Sequence, residues 1–183
     1  MSAALHGPAS GHLSEVSDYD ITTLILSEHE VFRRDFAGLD GREGEDLAQA
    51  WLALADQLEV HAAGEEEMFY PHVVREAQDG VDETLDAISD HNHIRESVRA
   101  VADHETGSDA WWQAVRTAQE VNAEHMAEEE RDVLPHFREA VDSERRGELG
   151  MSWLQFHDEH ERAAGLDGAG KDPQDYVEEQ AAP

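Results

Sequence analysis

Apolar side chains recur every three or four residues along most of the chain. That spacing places them on one face of an α-helix, and no stretch shows the strict alternation of a half-buried strand. Turn-forming stretches with the letters DGREG, QDG and TGS separate the periodic segments. The pattern predicts four long helices, at about 18–39, 45–78, 81–104 and 108–141. Four amphipathic helices with short connections favour an all-α, up-down-up-down four-helix bundle.

The segments on either side of the bundle have a different composition. The N-terminal segment is small, polar and contains Gly and Pro, whereas a shorter apolar pattern after the bundle includes Trp153, Leu154 and Phe156. The last residues are acidic, with few apolar side chains to bury. The chain is therefore predicted to divide into a flexible N-terminal arm (1–17), the bundle (18–142), an additional C-terminal helix (143–165) and a flexible, disordered acidic tail (166–183).

The net charge of the chain limits the classes of molecule that it is expected to bind. Asp and Glu number 43 against 13 Lys and Arg, which gives a formal net charge of −30. Such a surface repels phosphate groups, so neither nucleic acid nor an anionic membrane is an expected partner. No apolar run is long enough to span a bilayer and the N-terminus does not resemble a secretory signal, so a cytoplasmic location is expected. The chain has no cysteine, so any metal must be bound by histidine and carboxylate.

Two segments of the second and fourth helices repeat one motif. Each has a histidine, a glutamate four residues later and a proline ten residues after the histidine: His61, Glu65 and Pro71 in one, His125, Glu129 and Pro135 in the other. The prolines are predicted to kink or end the helix locally. A histidine and a glutamate four residues apart are usually a solvated surface pair, so the helix face that they occupy is the more informative property.

Each of the four predicted helices places a histidine on its apolar face near mid-length. His29 lies between Ile25 and Phe32, and His91 lies three residues from both Ile88 and Ile94. The set on these apolar faces is His29, His61, Glu65, His91, His125 and Glu129. His29 and His91 are 62 residues apart, and His61 and His125 are 64 residues apart. These offsets indicate two helix pairs related by a pseudo-two-fold axis.

Burial of these six side chains is costly unless they are paired or bound to metal. Two divalent or trivalent cations would neutralise them, with the two glutamates bridging and the histidines at terminal positions. Imidazole and carboxylate without thiolate suit iron, manganese or zinc. A single buried histidine is more often a satisfied core residue, and a structural bundle with hydrogen-bonded His–Glu pairs is the simplest alternative. Six such residues in repeat register favour a metal site.

The chain resembles the hemerythrin-like, or HHE cation-binding, family over about 18–141. The resemblance rests on ILSEHEVFRR, HAAGEEEMFYP, DHNHIRESV and HMAEEERDVLP. It implies a four-helix bundle around two iron ions with an oxo or hydroxo bridge, with zinc or manganese less expected. It also implies a small diatomic or peroxide ligand, namely O2, nitric oxide or peroxide.

The sequence departs from the oxygen-carrying members of that family at two places. Arg95 stands where they have a second histidine in the third helix, and Glu129 replaces an aspartate one residue further on, where this chain has Glu130. The chain is thus similar to the bacterial and archaeal subgroup with the pattern H-HxxxE-H-HxxxE. A more carboxylate-rich site favours redox chemistry, such as catalase-like or peroxidase-like activity in an oxidative-stress role, over reversible O2 storage.

Several alternatives remain open at the level of sequence. An oxygen- or iron-responsive sensor is one, with the C-terminal helix and tail as the reporting elements, and iron storage without catalysis is another. No general acid or base is indicated, and the chain is expected to be a monomer or a homodimer with no protein partner identified. The acids and phenol expected around the ligands are Glu66, Tyr70, Glu128 and Glu130. The other histidines of the bundle and C-terminal helix are expected at the surface or around the ligands.

Overall fold

A computed structural model describes residues 19–182, and the predicted arm at 1–17 lies outside this range. The described residues form helices and connecting turns, without a strand, which confirms the all-α prediction. The α-helices are α1 (Ile21–Ala37), α2 (Gly44–Gly64), α3 (Tyr70–Glu76), α4 (Gly80–Val101), α5 (Asp109–Glu128), α6 (Leu134–Ala140), α7 (Ser143–Glu159) and α8 (Pro173–Ala181). Between residues 19 and 182 there is no helix with the length and hydropathy that a bilayer crossing requires.

The second and fourth bundle helices each contain a π-helical turn. The first π turn, Glu65–Phe69, joins α2 to α3, and the second, Glu129–Val133, joins α5 to α6. In the first turn the Tyr70 N–H bonds to the carbonyl of Glu65, five residues back. Pro71 and Pro135 each come one residue after a π turn, at the second positions of α3 and α6. Proline has no N–H to donate to the helix. The wider π turn accommodates this missing hydrogen bond, so each helix continues past its proline.

The apolar core of the bundle consists of two clusters. One contains Ile25 and Phe69, and the other contains Phe32 and Trp51. On α1, the fully buried His29 lies one turn from Ile25 and about one turn from Phe32. The two clusters are therefore separated by a polar layer near the middle of the bundle.

Helix α7 packs against α1 and α2, so the predicted additional C-terminal helix is part of the same core. Trp153 is fully buried, and Phe156 is 5% exposed. The Asp142 side chain caps the first turn, and Arg146 Nε donates to Asp20 Oδ2 at 2.7 Å at the start of α1. The helix ends at Glu159 and is followed by a 3-10 turn, Glu161–Ala163.

The prediction of a disordered tail is wrong for much of 166–182. Helix α8 begins after Asp172, whose side chain accepts from the N–H groups of Gln174 and Asp175. Tyr176 and Val177 are 6% and 4% exposed and join the first core cluster, where α8 contacts α3 and α4. Two adjacent apolar residues do not make a helical stripe, so the sequence pattern could not distinguish this short docked helix from a solvated tail.

Gly150 marks the closest approach of α7 to the start of α1. A Cβ at this position would collide with the backbone carbonyl of Tyr19 and lie 3.1 Å from Ile21 N. We expect Gly150→Ala to lower the free energy of unfolding by about 1–3 kcal/mol, because rigid backbone must move to admit the methyl group. Urea unfolding of the metal-free protein measures the change. Ser152→Ala, on the exposed face of α7, is the matched control and should alter stability by roughly 0.5 kcal/mol or less; equal effects would contradict this packing.

Candidate metal centre

The six residues predicted from the helix faces converge in the polar layer between the two core clusters. All are buried, with at most 4% of their surface exposed. They form two groups that share Glu65. In each group, every residue has one ligand atom that lies within 4.8 Å of a ligand atom of each other member. The first group is His29, His61, Glu65 and Glu129, and the second is Glu65, His91 and His125. Each group has the donors of a metal site.

Glu65 faces both groups with different oxygen atoms. Its Oε1 lies 3.1 Å from His61 Nε2, and its Oε2 lies 3.2 Å from His91 Nε2. His91 Nε2 is in turn 3.1 Å from His125 Nε2, so these two imidazole nitrogens point at nearly the same place. A carboxylate with one oxygen toward each group is arranged to bridge two cations, and the two nitrogens are arranged to share one.

Glu129 faces the histidines with one oxygen only. Its Oε2 lies 3.3 Å from His29 Nε2 and 3.5 Å from His125 Nε2. Its Oε1 accepts a 2.5 Å hydrogen bond from the buried Tyr70 hydroxyl. Burial and the nearby charges of Glu129 and Glu65 raise the pKa of Tyr70 well above its usual value, so the phenol stays protonated and donates. The two glutamates are therefore related by the repeat but are not equivalent.

Several atoms at the centre of this cluster are buried without a hydrogen-bonding partner of acceptable geometry among the described residues. They are His29 Nε2, His61 Nε2, both carboxylate oxygens of Glu65 and Glu129 Oε2. Each buried polar atom left unpaired costs about 1–3 kcal/mol, and more where it is charged. All five atoms are lone-pair donors that cations accept, so the donor set fits a metal cofactor.

Each of the four histidines turns its other ring nitrogen, Nδ1, toward a carboxylate on a different helix. The pairs are Glu130 with His29 at 2.9 Å, Glu28 with His61 at 2.8 Å, Glu66 with His91 at 2.9 Å and Asp90 with His125 at 3.6 Å. We call Glu28, Glu66, Asp90 and Glu130 the outer carboxylates. An Nδ1–H that donates to a carboxylate leaves Nε2 as the lone-pair nitrogen, aimed at the centre. The contact of Asp90 with His125 is the weakest of the four, because 3.6 Å is beyond hydrogen-bond distance.

An arginine continues the repeat outward from two of these carboxylates. Arg33 donates to Glu130 at 2.7 Å, and Arg95 donates to Glu66 at 2.7 Å. The arginines are 62 residues apart and the glutamates 64, the same offsets as the histidines. The Arg95 guanidinium thus contacts an outer carboxylate and not the cluster itself.

Helix α7 contributes two groups that hold Glu28. Trp153 Nε1 donates to Glu28 Oε1 at 2.8 Å, and His157 Nε2 lies 3.2 Å from Glu28 Oε2, which also contacts His61. Burial alone would raise the pKa of Glu28, but hydrogen bonds with His157 and His61 outweigh it and lower the pKa to about 2. Glu28 is therefore a firmly ionised acceptor for His61.

Sequence reasoning found part of this surrounding layer. Of the predicted groups, Glu66, Glu130 and Tyr70 contact the cluster as described, whereas Glu128 makes none of these contacts. Glu28 and Asp90 were missed. Each directly precedes a ligand histidine in the chain, so it borders the buried face and points to the neighbouring helix. An acidic residue next to a buried histidine indicated a possible contact with the cluster. The sequence did not indicate which histidine of another helix it would contact.

The comparisons with known proteins agree with this geometry. A family model described as the hemerythrin HHE cation binding domain matches residues 20–137, a range that contains all six residues of the cluster. Neither the curated proteins nor the solved structures give a match to the chain.

The protonation of His91 predicts how the metal-free protein responds to pH. Burial alone would lower the pKa of His91, but hydrogen bonds with Glu65 and Glu66 raise it to about 9. Because the unfolded value is about 6.5, the contribution is complete below that pH and is lost as pH rises toward 9. We therefore expect the melting temperature of chelator-treated protein to fall between pH 6.5 and 9.

The variant His91→Gln should lose this component of the pH dependence, so the difference between the two melting curves isolates it. Metal binding needs the neutral imidazole, so the rise in melting temperature that metal causes should grow over the same pH range. A wild-type curve parallel to that of His91→Gln between pH 6.5 and 9 would contradict the raised pKa of His91.

Proposed function

Because the chain belongs to the hemerythrin HHE cation-binding domain family, we propose that its buried cluster holds two iron ions that react with small oxidants. The expected molecules are O2, nitric oxide and peroxide, in a redox or oxidative-stress role. The observation that carries the proposal is the set of buried, unpartnered ligand atoms that face one another at mid-bundle. His29 and His61 would serve one iron, His91 and His125 the other, and Glu65 and Glu129 would lie between them.

The donor set favours iron for both coordination and chemistry. The two groups offer three or four protein atoms each, fewer than the six positions that iron commonly fills, so small molecules have room to bind. Zinc in structural sites is usually enclosed by four protein ligands, commonly with thiolates, and this chain has no cysteine. Bound iron would supply the one-electron chemistry that histidine and glutamate cannot perform.

The protein's own part is to orient the ligands and to exclude water. Three of the outer carboxylates, Glu28, Glu66 and Glu130, fix the ring orientation of their histidines, and the Tyr70 hydroxyl fixes one oxygen of Glu129. The rings of Phe32 and Trp153 meet His61 edge to face, at centroid distances of 5.0 and 5.5 Å. A cluster enclosed in this way admits small uncharged or weakly hydrated molecules more readily than bulky substrates.

Metal content is the first test of the proposal. Protein purified in air should contain about two iron ions per chain, and oxo-bridged ferric iron should add near-ultraviolet absorbance. His61→Ala should lose at least one of these ions, because it removes a ligand from the first group. His72→Ala is the matched control, since His72 and Glu76 have the same spacing but lie away from the cluster. Wild-type protein with far less than one iron per chain, or stoichiometric zinc, would contradict the iron proposal.

Reactivity is the second test. Peroxide added to the iron-loaded protein should produce gas at a rate proportional to bound iron, and the rate should fall with iron content in His61→Ala. An oxygen electrode measures this rate, with the near-ultraviolet spectrum recorded before and after. An unchanged spectrum with O2, nitric oxide and peroxide would contradict a reactive centre.

One observation also favours an oxygen- or iron-responsive sensor as a second candidate. The additional helix α7 contacts the outer carboxylate Glu28 through Trp153 and His157. A movement of Glu28 that follows a change at the cluster would therefore alter the contacts of this helix. A sensor would change its spectrum on binding O2 or nitric oxide without turnover of peroxide. The peroxide experiment therefore separates the two candidates.

A further inference from the structure

The segment 166–182, which we call the C-terminal strap, crosses the bundle surface above the outer carboxylate Glu66. Lys171 Nζ lies 2.8 Å from Glu66 Oε2, and the Tyr176 hydroxyl donates to the backbone carbonyl of Glu66 at 2.5 Å. Glu66 itself is 3% exposed. The strap therefore contacts both the side chain and the backbone of a residue that contacts the cluster.

The strap is fixed by hydrogen bonds on both sides of this contact. The Asn92 side chain accepts from Lys171 N at 2.9 Å and donates to Lys171 O at 2.7 Å. Arg99 donates to the carbonyl of Gly168, and Arg75 Nε donates to the carbonyl of Gln180 at 2.8 Å. Lys171 is thus held by its backbone as well as by its ammonium group.

Glu66 transmits this arrangement to a ligand of the cluster. Its Oε1 contacts His91 Nδ1 at 2.9 Å and accepts from Arg95 Nη1 at 2.7 Å, while its Oε2 pairs with Lys171 Nζ at 2.8 Å and accepts a longer bond from Arg95 Nη2 at 3.3 Å. A carboxylate held at both oxygens cannot rotate about its last bond without loss of an ion pair. The direction of His91 Nε2 therefore depends on the partners of both oxygens.

We infer that Lys171 and Tyr176 are positioning residues that act through Glu66 to aim His91 at the metal pair. This inference rests on the proposed function. The repeat supplies an internal comparison: Glu130, the counterpart of Glu66, pairs with Arg33 but with no lysine in the described range. Lys171 is the only lysine of the chain, and the strap directs it to one of the two related carboxylates.

A purely structural role would give a different result. The Lys171 side chain is 45% exposed, and an ion pair at such a site contributes little to stability, on the order of 1 kcal/mol or less. Loss of Lys171 should therefore leave unfolding almost unchanged while it alters metal binding. If the strap served only to cover the apolar surface under Tyr176 and Val177, loss of the ammonium group would change neither.

The first experiment measures the affinity for ferrous iron in the absence of oxygen, by competition with a chelator. We expect Lys171→Met to bind about 3- to 10-fold more weakly, a smaller effect than loss of a group in direct contact with a ligand, because Lys171 acts through Glu66. Lys171→Arg should restore most of the affinity, because it keeps the charge. The control is Arg116→Met, which removes one positive charge from an exposed side chain that is far from Glu66 in sequence and hydrogen-bonded to Gln113.

The second experiment uses proteolysis to report on the strap. A protease that cleaves only after lysine has a single site in this chain, at Lys171. If strap docking strengthens metal binding, metal binding must strengthen strap docking by the same factor. Ferrous iron should therefore slow cleavage of the wild type at Lys171. Tyr176→Phe, which keeps the lysine, should be cleaved faster than the wild type.

The outcomes distinguish this inference from the proposed function. Wild-type protein that takes up no iron would contradict the proposed function, and the role of the strap would fall with it. Full iron uptake by the wild type, with equal affinity in Lys171→Met and a cleavage rate unaffected by iron, would overturn the strap inference alone. Metal affinity and cleavage rate are both independent of any turnover by the loaded protein.

Discussion

The fold is organised around a charge that it must neutralise in its interior. Glu65 and Glu129 lie at mid-bundle with at most 1% of their surface exposed, among four buried histidines. Ionised carboxylates cannot remain there without positive partners. In the metal-free protein His91 supplies a proton, as its raised pKa shows, and the same site fits cations that would take over that role. The outer carboxylates complete the arrangement, because each accepts from or pairs with a histidine that would otherwise have an unpaired Nδ1.

Two consecutive glutamates serve this centre at the start of each π turn. Glu65 and Glu66 open the first π turn, and Glu129 and Glu130 open the second. Consecutive helical residues are about 100° apart, so one member of each pair faces the cluster while the next faces the adjacent helix and its histidine. The proline six residues after the first glutamate requires a local change in hydrogen bonding, and the wider turn provides it. The repeated motif therefore contains both the glutamate pair and the proline that accompanies the π turn.

The sequence was sufficient for the features that depend on a single helix. A buried face can be read from spacing alone, so His29 and His91 were found as readily as the glutamates in the repeated motif. The outer carboxylates Glu28 and Asp90 depend on which helices are neighbours, and the repeat offsets did not specify that. The strap was predicted as disordered because it shows no helical spacing of apolar residues. Its docking relies on Tyr176 and Val177 and on hydrogen bonds with Asn92, and these contacts do not produce a periodic pattern in the sequence. Contacts between elements, rather than the elements themselves, were what the pattern could not supply.

The two C-terminal additions break the symmetry of the repeat in the same way. Helix α7 holds Glu28, which orients His61, and the strap holds Glu66, which orients His91. These two histidines are the ones that face the two oxygens of Glu65. The histidines that face Glu129 have no such support from 143–182 among the described contacts, and one of them, His125, has the long contact to its outer carboxylate. The Glu65 side of the centre is therefore braced from two directions. The Glu129 side is held by the Tyr70 hydrogen bond and by the contacts of Glu130 with His29 and Arg33, so a rearrangement of the ligands breaks fewer of the described contacts there.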